Sequence, residues 1–158
     1  MSAMSSQENA RRIRVVVQPS PFDMGTETAR LLTLGPDIGG LGSFLGVVRG
    51  GGGLVALELE HYPGMCEQSL TTLAEDALQR FSLVGCTIIH RVGRLVVGEP
   101  IVLVLAAAAH RGAALDATRF LIDRLKTGAP FWKAEEFADG RRVWVESRQE
   151  DEAIAARW

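Results

Sequence analysis

The chain has 158 residues, of which 47% are hydrophobic and 23% are charged, and its formal net charge is -2. These values favour one soluble globular domain. The slightly negative net charge excludes a protein that binds nucleic acid non-specifically through a strong positive charge. The longest apolar run, Ile101 to Ala109, is far shorter than the roughly 20 residues of a membrane-spanning helix. Residues 1–10 lack the apolar core of a signal peptide, and two cysteines without a metal-binding spacing favour a reducing compartment. We therefore expect a cytoplasmic protein that neither binds nucleic acid nor enters a membrane.

The N-terminal part of the sequence predicts a polar lead-in followed by the start of one domain. Residues 1–12 can bury almost no apolar surface and are expected to be disordered, so the domain is placed at residues 13–158. β-Branched residues predict a first strand over Ile13–Val17, and a short helix is expected over Thr26–Leu34. The glycine-rich segment Gly39–Arg49 is predicted to be a strand whose glycines permit close approach of another backbone.

The middle of the chain alternates in ways that predict strands and one long helix. Apolar and charged residues alternate along Leu54–His61, as in a strand with one buried face. Together with the Gly50–Gly53 turn before it, this strand is predicted to form a hairpin with Ser43–Arg49. Apolar residues at helical spacing predict a long helix over Cys66–Phe81. Three further strands are expected over Thr87–Arg91, Arg94–Val97 and Ile101–Ala109.

A second long helix is predicted over Ala113–Lys126, because apolar residues recur on one of its faces and charged residues on the other. We expect Gly128 to cap this helix and Pro130 to forbid its continuation. The apolar stripe consists of Ala114, Ala117, Leu121 and Leu125, and the charged face consists of Asp116, Arg119, Asp123 and Lys126.

The C-terminal part predicts a hairpin and then a short helix. Asp139-Gly140 is a strong turn signal between strands expected over Trp132–Phe137 and Arg142–Glu146. A short amphipathic helix is expected from Gln149. Because strands and helices mix without regular alternation, the predicted class is a single α+β domain.

The segment from Lys126 to Lys133 is the main candidate for a functional site. Two lysines bracket a helix stop and the aromatic pair Phe131-Trp132, a pattern that packing alone explains poorly. The alternative is that Lys126 is a capping residue, since the helix dipole favours a cation in the last turn.

A second candidate is His110-Arg111-Gly112, where a buried strand is followed by a helix. Unpaired N–H groups at the helix start, together with these cations, predict a pocket for a phosphate or a carboxylate. The alternative is an ordinary strand-end histidine beside a surface arginine. Arg49, at the tip of the glycine-rich strand, is by itself best explained as an exposed charge, and His90 as a packed residue.

Other chemistries find less support in the sequence. No trio of histidines, cysteines and carboxylates has the spacing of a metal site, and we expect no cofactor. The Gly50–Gly53 turn lacks the Lys-Ser/Thr pair of a phosphate-binding loop. Cys66 begins a helix, where a thiolate would be stabilised, so a catalytic cysteine is an alternative, whereas Cys86 is expected to be packed.

Six stretches in register resemble the large, catalytic subunit of molybdopterin synthase, the MoaE family. Their order and spacing agree from about Ile13 to Trp158, so the resemblance extends over nearly the whole chain. The stretches are Leu57–Met65, Ile89–Gly93, Ala109–Arg111, Leu125–Thr127, Ala129–Lys133 and Trp144–Glu146.

The resemblance implies a hammerhead-type α+β fold with a mixed or antiparallel sheet and two main helices. It also implies a homodimer that forms a heterotetramer with two copies of a small ubiquitin-like partner. That partner would carry sulfur as a thiocarboxylate on its C-terminal Gly-Gly tail. Two sulfurs would pass to cyclic pyranopterin monophosphate and form the dithiolene of molybdopterin, a step in molybdenum cofactor biosynthesis.

The same resemblance implies the roles of individual residues. Lys126 and Lys133 would be catalytic, and clustered cations would suit a cyclic phosphate and an anionic thiocarboxylate. A lysine among other cations has its charged form disfavoured, so Lys126 is the candidate for proton transfer. The implied substrate-binding residues are Arg49, His110, Arg111, Glu135 and Arg148.

The chain also departs from the family pattern at three places. Val47 stands where many relatives have a lysine, Gly50–Gly53 replaces a longer polar loop, and Gly128 replaces a bulkier residue. These departures keep open an alternative function, a non-catalytic paralogue that serves as a scaffold binding a pterin phosphate or the partner.

Overall fold

Two long amphipathic helices and two four-stranded sheets organise the chain. The structure is a computed structural model that describes residues 6–145 and 153–158. Its helices are α1 (Ser6–Arg12), α2 (Met24–Leu32), α3 (Met65–Arg80) and α4 (Arg111–Gly128). Its strands are β1 (Ile13–Gln18), β2 (Gly40–Val47), β3 (Leu54–His61), β4 (Gly85–Arg91), β5 (Gly93–Val96), β6 (Pro100–Ala108), β7 (Phe131–Phe137) and β8 (Arg142–Val145).

The strands divide into a helix-covered sheet and a second sheet beside it. The first sheet has the order β1-β4-β6-β2, with β1 parallel to β4 and the other pairs antiparallel. The second sheet has the order β5-β3-β7-β8 and is antiparallel throughout. The predicted α+β class, with two main helices and mixed and antiparallel sheets, is therefore confirmed.

The main core lies between the first sheet and the two long helices. Apolar side chains at helical spacing, such as Leu70 on α3 and Leu121 on α4, pack with residues of β4 and β6. Close packing of α4 depends on Gly42, because a Cβ there would overlap the Ala114 carbonyl and the Thr118 hydroxyl. The close backbone approach predicted for the glycine-rich strand is thus confirmed.

The predicted hairpin between β2 and β3 is wrong, because the two strands belong to different sheets. β2 pairs with β6, whereas β3 pairs with β5 and β7. The chain crosses between the sheets at Val48, whose N–H donates to the Glu99 carbonyl (2.9 Å) and whose side chain packs against Leu57 and Leu59. Positive φ angles at Gly51–Gly53 let the chain continue into the second sheet instead of folding back on β2.

Two predictions about the helices are also corrected. Residues 6–12, expected to be disordered, form α1, which leads directly into β1. Gly128 does not cap α4 but is its last residue, and Ala129 is the C-cap with extended backbone (φ -91°, ψ 136°). The cause is Pro130, which disfavours helical backbone in the residue before it.

The remaining elements lie close to their predicted positions. The long helix predicted over Cys66–Phe81 is confirmed as α3, and the β7–β8 hairpin is confirmed with Gly140 at a φ of 89°. The predicted helix start at Gln149 lies outside the described residues, although residues 153–155 are helical. Trp158 packs against Phe81 and Phe120 and donates from its indole to Asp123 (2.8 Å), which fastens the last described residues to α3 and α4.

Candidate active site

The two lysines of the candidate site are the only lysines in the whole sequence, whose other 15 basic residues are arginines. Lys126 lies in the last turn of α4 and is exposed, and Lys133 is half-buried on β7. Six residues join them, from Thr127 to Trp132, and these contain the helix end and the start of the strand. The position of Lys126 relative to Lys133 therefore depends on the conformation of this joining segment, residues 127–132.

Lys133 lies in the centre of the second sheet rather than at its edge. It is paired with Leu59 on β3 and with Val145 on β8, so all three side chains emerge on one face of the sheet. The same face carries Glu135, which is paired with Leu57 and is also half-buried. The apolar neighbours shield the Lys133 amine from part of the solvent, and low polarity strengthens its attraction for an anion.

The joining segment is held by an aromatic contact with the first sheet. The ring of Phe131 stacks on the imidazole of His90, with centroids 3.9 Å apart and planes 20° apart. The His61 ring lies 6.5 Å from Phe131 on the neighbouring strand, and His61 Nε2 is 3.6 Å from a Glu67 carboxylate oxygen. Two histidines therefore flank the aromatic residue that lies between the lysines.

The protonation state of His90 follows from its surroundings. Its Nδ1 lies 2.7 Å from the Arg91 carbonyl oxygen, and because a carbonyl can only accept, Nδ1 carries the proton. Burial is the main cause that lowers the pKa of His90 from 6.5 to about 4, and the nearby charges of Lys126 and His61 lower it further against the opposing effect of the Arg91 carbonyl. His90 is therefore neutral at physiological pH. Its predicted packed position is confirmed, since only 6% of the residue is exposed.

Arg91 fixes the strand end next to His90. Its guanidinium is buried and donates to the carbonyls of Pro19 (3.0 Å) and Pro100 (3.2 Å), and it forms an ion pair with Glu99 at 3.4 Å. These bonds tie together the ends of three strands of the first sheet. The sequence did not predict that Arg91 joins these strand ends, because the accepting carbonyls belong to segments that are distant along the chain.

His110 and Arg111 lie at the opposite end of the first sheet from this cluster. They follow the last residue of β6, which is paired with Gly40, and they begin α4, with His110 as the N-cap and both side chains exposed. Fifteen residues of helix separate Arg111 from Lys126, which corresponds to about 22 Å at 1.5 Å per residue. The structure therefore does not bring this pair together with Lys126 within one chain.

Arg49 lies at the same end of the sheet as the lysine pair. It follows Val48, which packs on the face of the second sheet where Lys133 and Glu135 emerge, and its own side chain is exposed. The predicted set thus divides into one group at this end, Arg49, Lys126, Lys133 and Glu135, and a second group at the other end, His110 and Arg111. Arg148 lies outside the described residues.

The cysteines do not have the environment of a nucleophile. Cys66 and Cys86 are both buried and free. Burial, followed by the negative charge of Glu67, raises the pKa of Cys66 to about 11, and burial raises the pKa of Cys86 to about 12. Both thiols are therefore protonated at neutral pH, and the thiolate stabilisation expected for Cys66 at a helix start is outweighed by burial.

Neither a metal site nor a membrane helix is found in the part of the chain that the structure describes. Within residues 6–145 and 153–158, no group of three histidines, cysteines and carboxylates could hold a metal ion. None of the helices in these ranges is long and apolar enough to cross a membrane. A cavity of about 600 Å³ between α3 and α4 reaches Thr127 and Ala129, and its charged lining residues are Glu75, Asp76 and Arg124, so acidic groups outnumber basic ones there.

Comparison with known proteins gives a consistent result. The sequence model of the MoaE protein family matches residues 17–128. A molybdopterin synthase catalytic subunit from Ralstonia nicotianae is 48% identical over 145 residues, which cover 90% of this chain and 82% of the relative. The molybdopterin biosynthesis MoaE protein from Burkholderia ambifaria superposes with a TM-score of 0.80 at 44% identity, covering 92% of this chain and 97% of that one.

A more distant structure shows the same fold. It is a protein–protein complex of subunits 1 and 2 of the molybdopterin-converting factor from Helicobacter pylori, with a TM-score of 0.69 at 17% identity. The match covers 86% of this chain and 91% of that chain.

The fold defines the class, a single α+β domain built from two four-stranded sheets and two long helices. The chain belongs to the MoaE family of molybdopterin synthase catalytic subunits. The expectation of an enzyme, a sulfurtransferase of the molybdopterin synthase class, is confirmed by these relatives.

Proposed function

We propose that the chain transfers sulfur from a small ubiquitin-like partner to cyclic pyranopterin monophosphate, in a cytoplasmic step that forms the dithiolene of molybdopterin. The partner would present its sulfur as a thiocarboxylate on a C-terminal Gly-Gly tail. The observation that carries this proposal is the lysine pair: the only two lysines of a MoaE-family chain lie on either side of one aromatic anchor. The complex of two subunits described for the Helicobacter pylori protein supports a second subunit as partner.

The lysine pair suits a reaction between two anions. The cyclic phosphate of the substrate and the thiocarboxylate of the partner repel each other unless fixed cations lie between them. Lys133 is half-buried and flanked by apolar side chains, so it is suited to hold an anion in place. Lys126 is exposed at a helix end, where it can exchange a proton with the reacting groups and with water.

The chemistry needs only groups that the substrates and water supply. In one transfer, the thiocarboxylate sulfur takes the place of a side-chain carbonyl oxygen of the pterin precursor, and that oxygen leaves as water. In the other transfer, the sulfur takes the place of a phosphate ester oxygen, whose bond to carbon breaks as the cyclic phosphate opens. Water then breaks the carbonyl–sulfur bond, and the partner leaves with a carboxylate at its C-terminus. Two transfers together with opening of the cyclic phosphate give the dithiolene, and the cations stabilise the charge that builds at each step. No cysteine of the chain takes part.

We further propose that the chain acts as a homodimer within a heterotetramer. His110 and Arg111 lie about 22 Å from Lys126 along α4, so a site that uses all of these cations needs a second copy of the chain. In such an assembly, one copy would supply Arg49, Lys126, Lys133 and Glu135, and the other would supply His110 and Arg111.

The proposal is tested by mixing the protein with the pterin precursor and a thiocarboxylated partner, and measuring molybdopterin. Formation of the dithiolene product supports the proposal. Binding of the partner without product would instead favour the non-catalytic scaffold, which the exposed Val47 and the Gly50–Gly53 loop suggest. A matched control uses the same partner with an ordinary C-terminal carboxylate, which should bind but should transfer no sulfur.

A further inference from the structure

The contact between His90 and Phe131 has a consequence for the lysine pair. Phe131 is the second residue after Ala129, where α4 ends, and the second residue before Lys133. Its N–H donates to the Ala129 carbonyl (2.8 Å), so the chain makes a tight turn just before the ring. The position of the Phe131 ring therefore determines the direction that the chain takes from the end of α4 into β7.

The anchor itself is rigid. His90 lies on β4, a strand that is buried along its whole length, and it is paired with Val17 on β1 and Val102 on β6. Burial of this strand fixes the plane of the ring, and the Nδ1–H bond to the Arg91 carbonyl satisfies the ring's buried donor. Arg91 is itself held by three further partners, Pro19, Pro100 and Glu99. A ring fixed in this way gives Phe131 one orientation, whereas a flexible neighbour would allow several.

We propose that His90 is a positioning residue for the reaction: as the fixed platform on which Phe131 stacks, it sets the placement of Lys126 relative to Lys133. This inference rests on the proposed function for its catalytic consequence, but the placement of the two amines is a property of the folded chain alone. His90 is a positioning residue and not a catalytic one, because it contacts the joining segment and not the reacting groups.

The neutral state of the imidazole is part of this role. The positive charge of Lys126 acts on His90, Arg91 adds a guanidinium next to it in sequence, and the nearby His61 has its Nε2 3.6 Å from a Glu67 carboxylate oxygen. A charged imidazole would repel Lys126 and would hold its charge in a buried position, which is unfavourable. A neutral imidazole can therefore lie near the cations of Lys126 and Arg91 without repelling either of them.

Two substitutions separate the parts of the anchor. His90→Phe keeps a flat ring for stacking but loses the Nδ1–H donor, whereas His90→Asn keeps a donor near that position but loses the ring. Ile89→Ala is the matched control, because Ile89 is equally buried but packs on the other face of the sheet with Leu31 and Leu103. It should lower stability without disturbing the lysine segment.

The first measurement does not depend on activity. Reductive methylation with ¹³C-formaldehyde labels the side chains of Lys126 and Lys133 and the N-terminal amine, and a lysine-to-arginine variant at each position assigns the NMR signals. We expect both lysine signals to move in His90→Asn, and to stay close to the wild-type positions in His90→Phe and Ile89→Ala. Unchanged lysine signals in folded His90→Asn would overturn the proposal, as would an equal change in Ile89→Ala.

The second measurement follows molybdopterin formation with a thiocarboxylated partner, per folded protein. We expect His90→Asn to lower kcat on the order of 100-fold, as expected for a misplacement of about 1 Å, with little change in the KM for the partner. His90→Phe should retain most of the activity. A rise in KM with unchanged kcat would contradict a positioning role. If the wild-type protein itself forms no product, the proposed function is wrong, and the NMR signals still decide whether His90 positions the lysines.

Discussion

The His90 imidazole and the Phe131 ring stack with their centroids 3.9 Å apart, although 41 residues separate them in the sequence. His90 belongs to the first sheet, and Phe131 begins a strand of the second. The contact therefore joins the two sheets at the place where the chain carries its only two lysines. A buried neutral imidazole in this position makes the stability of the junction depend on pH.

Acid should destabilise the protein through His90. Because the pKa of His90 is about 4 in the folded chain and near 6.5 when exposed, the unfolded chain binds the extra proton first as the pH falls. The stabilisation is present above pH 6.5 and is lost progressively between pH 6.5 and 4, by up to about 3 kcal/mol in the free energy of unfolding. Urea unfolding at pH 7 and at pH 4.5 measures this loss.

The His90→Phe variant provides the comparison for this prediction. It cannot be protonated at this position, so its free energy of unfolding should fall less between the two pH values than that of the wild type. An identical pH dependence in wild type and His90→Phe would show that His90 is not the titrating group.

Packing of α4 against β2 should not tolerate a side chain at position 42. In Gly42→Ala the new Cβ would overlap the Ala114 carbonyl and the Thr118 hydroxyl, so helix and strand must separate. We expect a loss of about 1–3 kcal/mol in the free energy of unfolding, typical of an overpacked core. Gly112→Ala is the control, since nothing lies near its Cβ and alanine favours a helix. Equal stability of the two variants would contradict the close approach.

Both cysteines should be dispensable for catalysis. Cys66 and Cys86 are buried with raised pKa values, so neither supplies a thiolate at neutral pH. A Cys66→Ala, Cys86→Ala double variant should form molybdopterin at close to the wild-type rate per folded molecule, with a modest loss of thermal stability from lost packing. Loss of product formation in a folded double variant would instead support a cysteine-based sulfurtransferase.

Helix α4 shows most clearly which features the sequence predicts and which it does not. The spacing of Ala114, Ala117, Leu121 and Leu125 predicted the helix and its buried face, and all four are buried. The prediction that Gly128 caps the helix was wrong, because Pro130 restricts Ala129 to extended backbone and Ala129 is therefore the C-cap. The positions of the lysines along the chain were visible in the sequence, but the contact that holds them was not.

The features that the sequence did not predict are contacts between segments that are distant along the chain. Local alternation gave β2 and β3 correctly as strands, yet their pairing as a hairpin was wrong, because Val48 directs the chain into the second sheet. In the same way, the resemblance placed His110 and Arg111 with Lys126, and only the length of α4 shows that one chain keeps them apart. Periodicity reports which face is buried, but not what covers it.

The role of Lys126 is tested most directly by its replacement in the assay with precursor and thiocarboxylated partner. Lys126→Ala should lower kcat by about 10²–10⁴-fold, the usual contribution of a group that transfers a proton. Lys126→Arg is the matched control for charge: it keeps the cation but cannot release a proton at neutral pH, so it should remain largely inactive. Near-normal turnover by Lys126→Ala, at wild-type stability, would contradict the assignment of Lys126 as the catalytic group.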